Sequence, residues 1–273
     1  MKTILVDTEN CIQCCNCQTV CKDEHCDNDW SPIATYQSDG QFWVKVHEWE
    51  DGSGSKMRLN RMPIMCQHCA NPACMKACPE AVYRRDDGIV IIDPVKAKGH
   101  RELVDACPYG VIYYNEELDI AQKCTMCAHL LDDGWKEPRC VTACPVGVLK
   151  FVDTDDLHQE DMPAKLERLH PEYGTDPQVY YMHLPKPFVA GSVYSPTEEL
   201  CLDEVKVTLK AKSFDACSET KTDYYGDFRF DDVVPGLYEL TFEKEGYRPK
   251  TIDRLSTKEA INVGDVKLFR KPV

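Results

Sequence analysis

The polar and apolar positions of this chain follow two different rules that meet near residue 188. Before that point apolar residues rarely hold either a helical or a strand period for long. Two short stretches stand out as predicted strands: Phe42-Trp43-Val44-Lys45-Val46-His47-Glu48-Trp49, and Gly88-Ile89-Val90-Ile91-Ile92-Asp93-Pro94, which glycine and proline bound. Residues 153–178 are polar and carry Asp155-Asp156 and Glu160-Asp161. They read as a connector with one short helix near Ala164 to Leu169, followed by a closing strand at Pro177-Gln178-Val179-Tyr180-Tyr181. From Phe188 the period becomes two: Val205, Val207 and Leu209 alternate with polar residues, as do Phe228 and Phe230, then Tyr238, Leu240 and Phe242. Turns fall at Tyr225-Gly226-Asp227, Pro235-Gly236 and Glu245-Gly246. About seven short strands in this tail predict a small β-sandwich. The expected domains are therefore 1–152, a connector with its closing strand at 153–187, and 188–273.

Cysteine explains how the first part can fold without a periodic core. Of seventeen cysteines, fifteen lie from Cys11 to Cys144. They form three complete runs: Cys11, Cys14, Cys17, Cys21; Cys66, Cys69, Cys74, Cys78; and Cys124, Cys127, Cys140, Cys144. A run C-x2-C-x2-C-x3-C-P wraps three thiolates around one iron-sulfur cubane and sends the fourth to a different cluster. The first run has this spacing, with Lys22 in place of proline. The other two keep the closing x3-C-P, with Pro79 and Pro145, and lengthen the loop before the third ligand. A fourth run survives only as Cys107-Pro108-Tyr109-Gly110; its other ligands would fall at Ala97, His100 and Leu103, none of them a thiol.

Structural zinc competes for C-x2-C pairs, but zinc ribbons do not need a further cysteine three residues on, followed by proline. The chain opens Met-Lys-Thr-Ile-Leu-Val-Asp without an apolar signal core, which favours a reducing, cytoplasmic setting over disulfides. No C-x2-C is followed by histidine, so haem attachment fails. Pairing the runs from the outside inward gives three [4Fe-4S] sites. Cluster one takes Cys11, Cys14, Cys17 and Cys144; cluster two takes Cys124, Cys127, Cys140 and Cys21; cluster three takes Cys66, Cys69, Cys74 and Cys107. Cys15, Cys26, Cys78, Cys201 and Cys217 are left over. Cys78 is expected as a buried free thiol, Cys201 and Cys217 as buried thiols of the sandwich, and His100 as a surface residue. Trp30, Trp43 and Trp49 are candidates for shielding a cluster from water, with ordinary packing as the alternative.

The formal charge of −14 argues against nucleic acid and anionic lipid as partners. No apolar stretch approaches the roughly 18 residues needed to span a bilayer, so no direct membrane insertion is expected. No Walker loop, dinucleotide glycine fingerprint or nucleophile elbow is present, which places catalysis on another chain.

Four runs in this order, joined by strands such as Gly88 to Pro94, together with Cys107-Pro108-Tyr109-Gly110 and Gln122-Lys123-Cys124-Thr125-Met126-Cys127, resemble the iron-sulfur subunit of the dimethyl sulfoxide reductase family of molybdopterin enzymes. The resemblance covers about residues 1 to 185. It implies a large catalytic partner carrying molybdenum-bis(molybdopterin guanine dinucleotide), in a heterodimer, with this chain passing electrons. The lost site corresponds to the cluster nearest the family's membrane partner. The phenol transhydroxylase branch is similar in its reduced third run, in Cys124-Thr125-Met126-Cys127-Ala128-His129-Leu130-Leu131-Asp132-Asp133, and in an extra C-terminal β domain; retained Cys78 is a departure from it. That branch implies an enzyme transferring, adding or removing hydroxyl groups on polyhydroxylated aromatics. The alternatives are the small subunit of a resorcinol hydroxylase or catechol dehydroxylase and, more distantly, a free-standing polyferredoxin with a binding sandwich. Thr222 to Phe230 with Pro235-Gly236-Leu237-Tyr238 resembles transthyretin-like or carboxypeptidase regulatory-like domains. The expected fold class is α+β: a ferredoxin-like poly-[4Fe-4S] domain with pseudo-twofold repeated cysteine runs, then that sandwich.

Overall fold

The structure, a computed structural model, describes residues 1–272. Contacts divide it into two units: residues 1–47 with 61–184, and residues 48–60 with the chain from Pro185 onward. The connector expected at 153–187 thus packs with the first unit as far as Leu184, and residues 48–60 count with the second. Among the described residues no helix is long and apolar enough to cross a membrane.

The first unit begins with β1 (Lys2–Asp7) and α1 (Asn16–Glu24); β2 (Val44–Ser53) and β3 (Lys56–Met65) are each divided between the two units, and α2 (Ala73–Ala77), β4 (Val82–Arg84) and β5 (Val90–Ile92) follow in the first. It continues through α3 (Glu102–Asp105), β6 (Tyr113–Asn115), β7 (Ile120–Gln122), α4 (Ala128–Asp132), α5 (Arg139–Thr142), β8 (Leu149–Asp153) and β9 (Tyr180–Met182). β1 is central in a sheet ordered β8-β1-β9, antiparallel to β8 and parallel to β9. Thr3, Ile4, Leu5 and Val6 are all buried. A strand covered on both faces loses the alternation of a half-exposed one, which is why its apolar run carries no clear period. Buried Thr3 gives its hydroxyl proton to the Gln178 carbonyl at 2.5 Å, joining the strand to the segment before β9.

The other sheets of this unit are two-stranded hairpins, β4 with β5 and β6 with β7. The first turns through Gly88, whose φ of 91° favours glycine; a Cβ there would stand 2.9 Å from the Met1 sulfur. The helices are short, none longer than the nine residues of α1. They are turns between ligand loops more than packing elements, so the architecture is mixed but mostly sheet.

The helix expected near Ala164 to Leu169 does not form. Glu167 instead pairs as an antiparallel bridge with Tyr181, its N–H donating to the Tyr181 carbonyl at 2.8 Å and its carbonyl accepting at 2.9 Å. A six-residue helix gains too few internal bonds to offset its nucleation, and pairing with β9 satisfies the same groups.

The second unit carries β10 (Val189–Ser195), β11 (Leu200–Cys201), β12 (Lys206–Ala211), β13 (Cys217–Lys221), β14 (Asp227–Phe230), β15 (Leu237–Glu243), β16 (Lys250–Ser256) and β17 (Ile261–Lys267), eight strands where about seven were expected. One sheet is ordered β11-β10-β14, with β17 parallel to β10; the other is β13-β12-β15-β16. Val207, Leu209 and Ala211 stand directly opposite Phe242, Leu240 and Tyr238, so the period-two residues of both strands share one buried face. The rings of Phe242 and Phe228 meet edge to face at 5.4 Å and join the two sheets. Phe242→Ala should therefore destabilise the sandwich by roughly 3–5 kcal/mol, read from denaturant midpoints.

Cys201 and Cys217, expected inside this sandwich, are exposed. Both lie on edge strands, where alternation alone does not say which face turns outward. An ionic cluster ties the strand ends: Glu198 accepts from Arg270 Nε at 2.8 Å and from the Tyr247 hydroxyl. Those bonds, Arg270 first, hold the Glu198 carboxyl down at about 2. Its folded value is depressed, so its contribution is full above the ordinary carboxylate pKa of about 4.5 and is lost as pH falls from there to about 2. Glu198→Gln should flatten that limb of the unfolding profile, measured as midpoint against pH.

Candidate metal centres

The structure gathers all twelve of these thiols into three cysteine-lined cavities, and Cys15 joins the first. Cys11, Cys14, Cys17 and Cys144 line the first, with Val46, Pro63 and Val148, around about 320 Å³. Cys21, Cys124, Cys127 and Cys140 line the second, with His25, Trp43 and Pro138, around about 290 Å³. Cys66, Cys69, Cys74 and Cys107 line the third, with His68, Tyr109 and Lys123, around about 360 Å³. Each unites cysteines from two separate runs.

The local backbone shows how a C-x2-C segment aims two thiols at one point. In the C-x2-C segment that opens each of the three runs the second intervening residue is left-handed: Gln13 at φ 57°, His68 at 43° and Met126 at 50°. None is glycine. A conformation that costs on the order of 1–3 kcal/mol recurs only where the surroundings demand it. It returns the residue's N–H to the first thiol of the pair, as with His68 to Cys66 Sγ and Met126 to Cys124 Sγ, both at 3.4 Å.

The thiols are held against their ordinary chemistry. Burial first, with neighbouring thiolates adding, pushes Cys17, Cys69 and Cys127 up to about 12 and Cys124 to about 11. Cys21 and Cys140 are driven well above the usual thiol range by the same causes. Thiols raised this far do not ionise side by side unless a cation neutralises them, and the thiolate is the ligand form. The donor set is all sulfur, which suits soft metal clusters. Buried polar atoms complete the fit. His68 Nε2 on the third cavity's lining, and Trp43 Nε1 and Thr125 Oγ1 on the second's, have no hydrogen-bond partner in the protein. Sulfur acceptors of a bound cluster are the kind of partner these groups lack.

The second cavity neighbours the other two: charge on Cys17 of the first is felt at Cys140, and charge on Cys66 of the third is felt at Cys124. Lys123, 2% exposed, lines the third cavity and donates from Nζ to the Cys124 carbonyl at 3.1 Å and to the Val90 carbonyl. Its charge reaches the thiols of Cys74, Cys107 and Cys124. Sequence reasoning missed this residue, because a lysine read along a chain is taken as surface; its place directly before a ligand was the available signal.

Among the described residues the fourth run brings together no set of four thiols. Ala97, Leu103 and Cys78 are fully buried in an apolar cluster with Val82, Val90 and Ile112. His100 lies at its edge, its side chain 30% exposed, 2.7 Å from Glu102. Cys15 lines the first cavity and Cys26 is exposed. Trp43 is the single tryptophan of the expected trio on a cavity wall; Trp30 stacks on His129 at 4.6 Å, and Trp49 lines none of the three.

Residues 57–154 match the 4Fe-4S dicluster domain, and residues 189–268 match the carboxypeptidase regulatory-like domain. The pyrogallol hydroxytransferase small subunit of Pelobacter acidigallici is 39% identical over 251 residues, 89% of this chain and 90% of its own. A putative dimethyl sulfoxide reductase iron-sulfur subunit of Halobacterium salinarum is 33% identical, covering 66% of this chain and 78% of its own. A tetrathionate reductase subunit of Salmonella typhimurium is 34% identical over 68% and 74%. With three thiol cavities in its first unit and this degree of similarity along its length, the chain belongs to the iron-sulfur subunit family of the dimethyl sulfoxide reductase type of molybdopterin oxidoreductases.

Proposed function

We propose that this chain is the electron-transfer subunit of a heterodimer whose large chain holds molybdenum-bis(molybdopterin guanine dinucleotide) and moves hydroxyl groups on polyhydroxylated aromatics, as the name of its pyrogallol hydroxytransferase relative suggests. The observation that carries the electron-transfer role is the set of three cavities, each lined by cysteines from two runs. In it Cys11, Cys14, Cys17 and Cys144 hold one [4Fe-4S] cluster; Cys21, Cys124, Cys127 and Cys140 a second; Cys66, Cys69, Cys74 and Cys107 a third. A left-handed residue at the same place in all four loops, Gln13, His68, Met126 and Gly99, supports reading the runs as a pseudo-twofold repeat.

A bound cluster takes up and releases one electron at a time. The chain's own residues set the conditions for that exchange. Loop N–H groups donate to ligand sulfurs, Trp43, Val44 and Pro138 exclude water from the middle site, and Lys123 supplies fixed positive charge beside the third.

Native purification tests the reading. Coelution with a molybdenum-bearing large chain, and hydroxyl transfer from pyrogallol by that complex, is the expected result. A stable monomer with full cluster content and no large partner would overturn it, and turnover of resorcinol or a catechol only with an external redox partner would move the assignment to a hydroxylase or dehydroxylase.

A further inference from the structure

The fourth run has lost its cluster thiols but kept its loop. In Ala97-Lys98-Gly99-His100 the second intervening residue, Gly99, has φ 79°, the same left-handed turn found in the C-x2-C segments that open the three runs. That turn carries His100 to the position a second cluster cysteine would hold. The His100 N–H donates to the Ala97 carbonyl at 3.2 Å, which closes the turn.

Opposite this loop stands Cys78, fully buried and outside all three cavities. Its Sγ, a ring nitrogen of His100 and a carboxylate oxygen of Glu102 all lie within 4.8 Å of one another. His100 Nδ1 is 2.7 Å from Glu102 Oε1, and His100 Nε2 is 3.9 Å from Glu80 Oε1. A surface histidine paired with a glutamate is common and by itself says nothing. Here the pair closes over a buried sulfur, so that one soft, one borderline and one hard donor share a single point.

We propose that Cys78 Sγ, His100 and Glu102 bind one divalent transition ion of the zinc class, with Glu80 or a water as the fourth ligand. Zinc takes sulfur, imidazole and carboxylate together, at bond lengths of about 2.0–2.3 Å, which puts neighbouring ligand atoms of a tetrahedron about 3.3–3.8 Å apart. The donors, all within 4.8 Å of one another, have at most about 1 Å to close, and the His100–Glu102 pair at 2.7 Å opens to admit the ion. Cys78 is fixed by its packing, but the side chains of Glu102 and Glu80 are 54% and 60% exposed and free to move inward. Zinc has no redox chemistry. An ion here ties the remnant loop to the core without extending the electron path. The inference rests on the reading that Cys78 serves no cubane.

The test uses the cluster-loaded chain in complex with its large subunit, given zinc chloride, dialysed, and analysed for zinc and iron per chain. X-ray absorption at the zinc edge reports the ligand set without interference from iron. About one zinc with one sulfur neighbour is expected in the wild type. Glu102→Gln, an exposed change that leaves folding intact, should weaken zinc by more than the roughly 10–100-fold cost of losing an outer-shell partner, and Cys78→Ser should abolish binding, both with wild-type iron. No retained zinc, equal retention by Glu102→Gln, or a zinc shell without sulfur overturns the proposal while iron stays at about twelve. Iron near sixteen instead overturns the underlying reading of Cys78, and this proposal with it.

Discussion

Cys107→Ser should remove about four of about twelve iron atoms per chain, whereas Cys78→Ser should remove none. The two cysteines look alike in sequence, each closing an x3-C-P tail, and their surroundings separate them. Cys107 lines the third cavity with Cys66, Cys69 and Cys74, and its thiol is raised by burial and by the Cys66 thiolate. A serine there offers a harder, shorter ligand to a site built of soft ones. Metal binding is coupled to folding at such sites, so the loss should also lower the thermal midpoint of the first unit. Cys78 packs among Ala81, Val82, Leu103 and Ile112 at no exposure. Its replacement buries a hydroxyl at a cost of about 1–3 kcal/mol and touches no cubane. Iron and acid-labile sulfide analysis of both variants checks the pair.

Lys123→Met should lower the reduction potential of the cluster held in the third cavity. The ammonium is buried, bonded only to the carbonyls of Val90 and Cys124, and acts on thiols of both the second and third sites. A cluster gains negative charge on reduction, so a fixed positive neighbour favours the reduced form, and its removal moves the potential down. A unit charge at this range, with an effective dielectric near 20, is worth on the order of 2 kcal/mol, or roughly 90 mV for a one-electron couple. Methionine keeps the length of the side chain, which limits the packing change. Potentiometric titration followed by electron paramagnetic resonance reads the shift; an unmoved potential would remove Lys123 from any tuning role.

C-x2-C is a local constraint, so the cysteine runs can be read directly along the chain; in the structure Cys21 lines one cavity with Cys124, and Cys107 lines another with Cys66. The sandwich was legible because one face of each strand is covered, so Val207, Leu209, Leu240 and Phe242 write their burial into a period of two. What escaped was set by distant parts of the chain. Glu167 joins Tyr181 instead of a helix because a strand fourteen residues away offers its backbone groups. Cys201 and Cys217 face outward because their strands are edges. Lys123 is buried because the carbonyl of Val90, thirty-three residues away, receives it together with that of neighbouring Cys124. The left-handed loop residues carry no composition signal, since glutamine, histidine and methionine fill the same position.

Iron content of the anaerobically purified complex, counted per copy of this chain, bears most directly on the three-cavity arrangement. Three cubanes with four thiolates each require about twelve iron atoms with matching sulfide. About sixteen, about eight, or zinc in place of iron would contradict it.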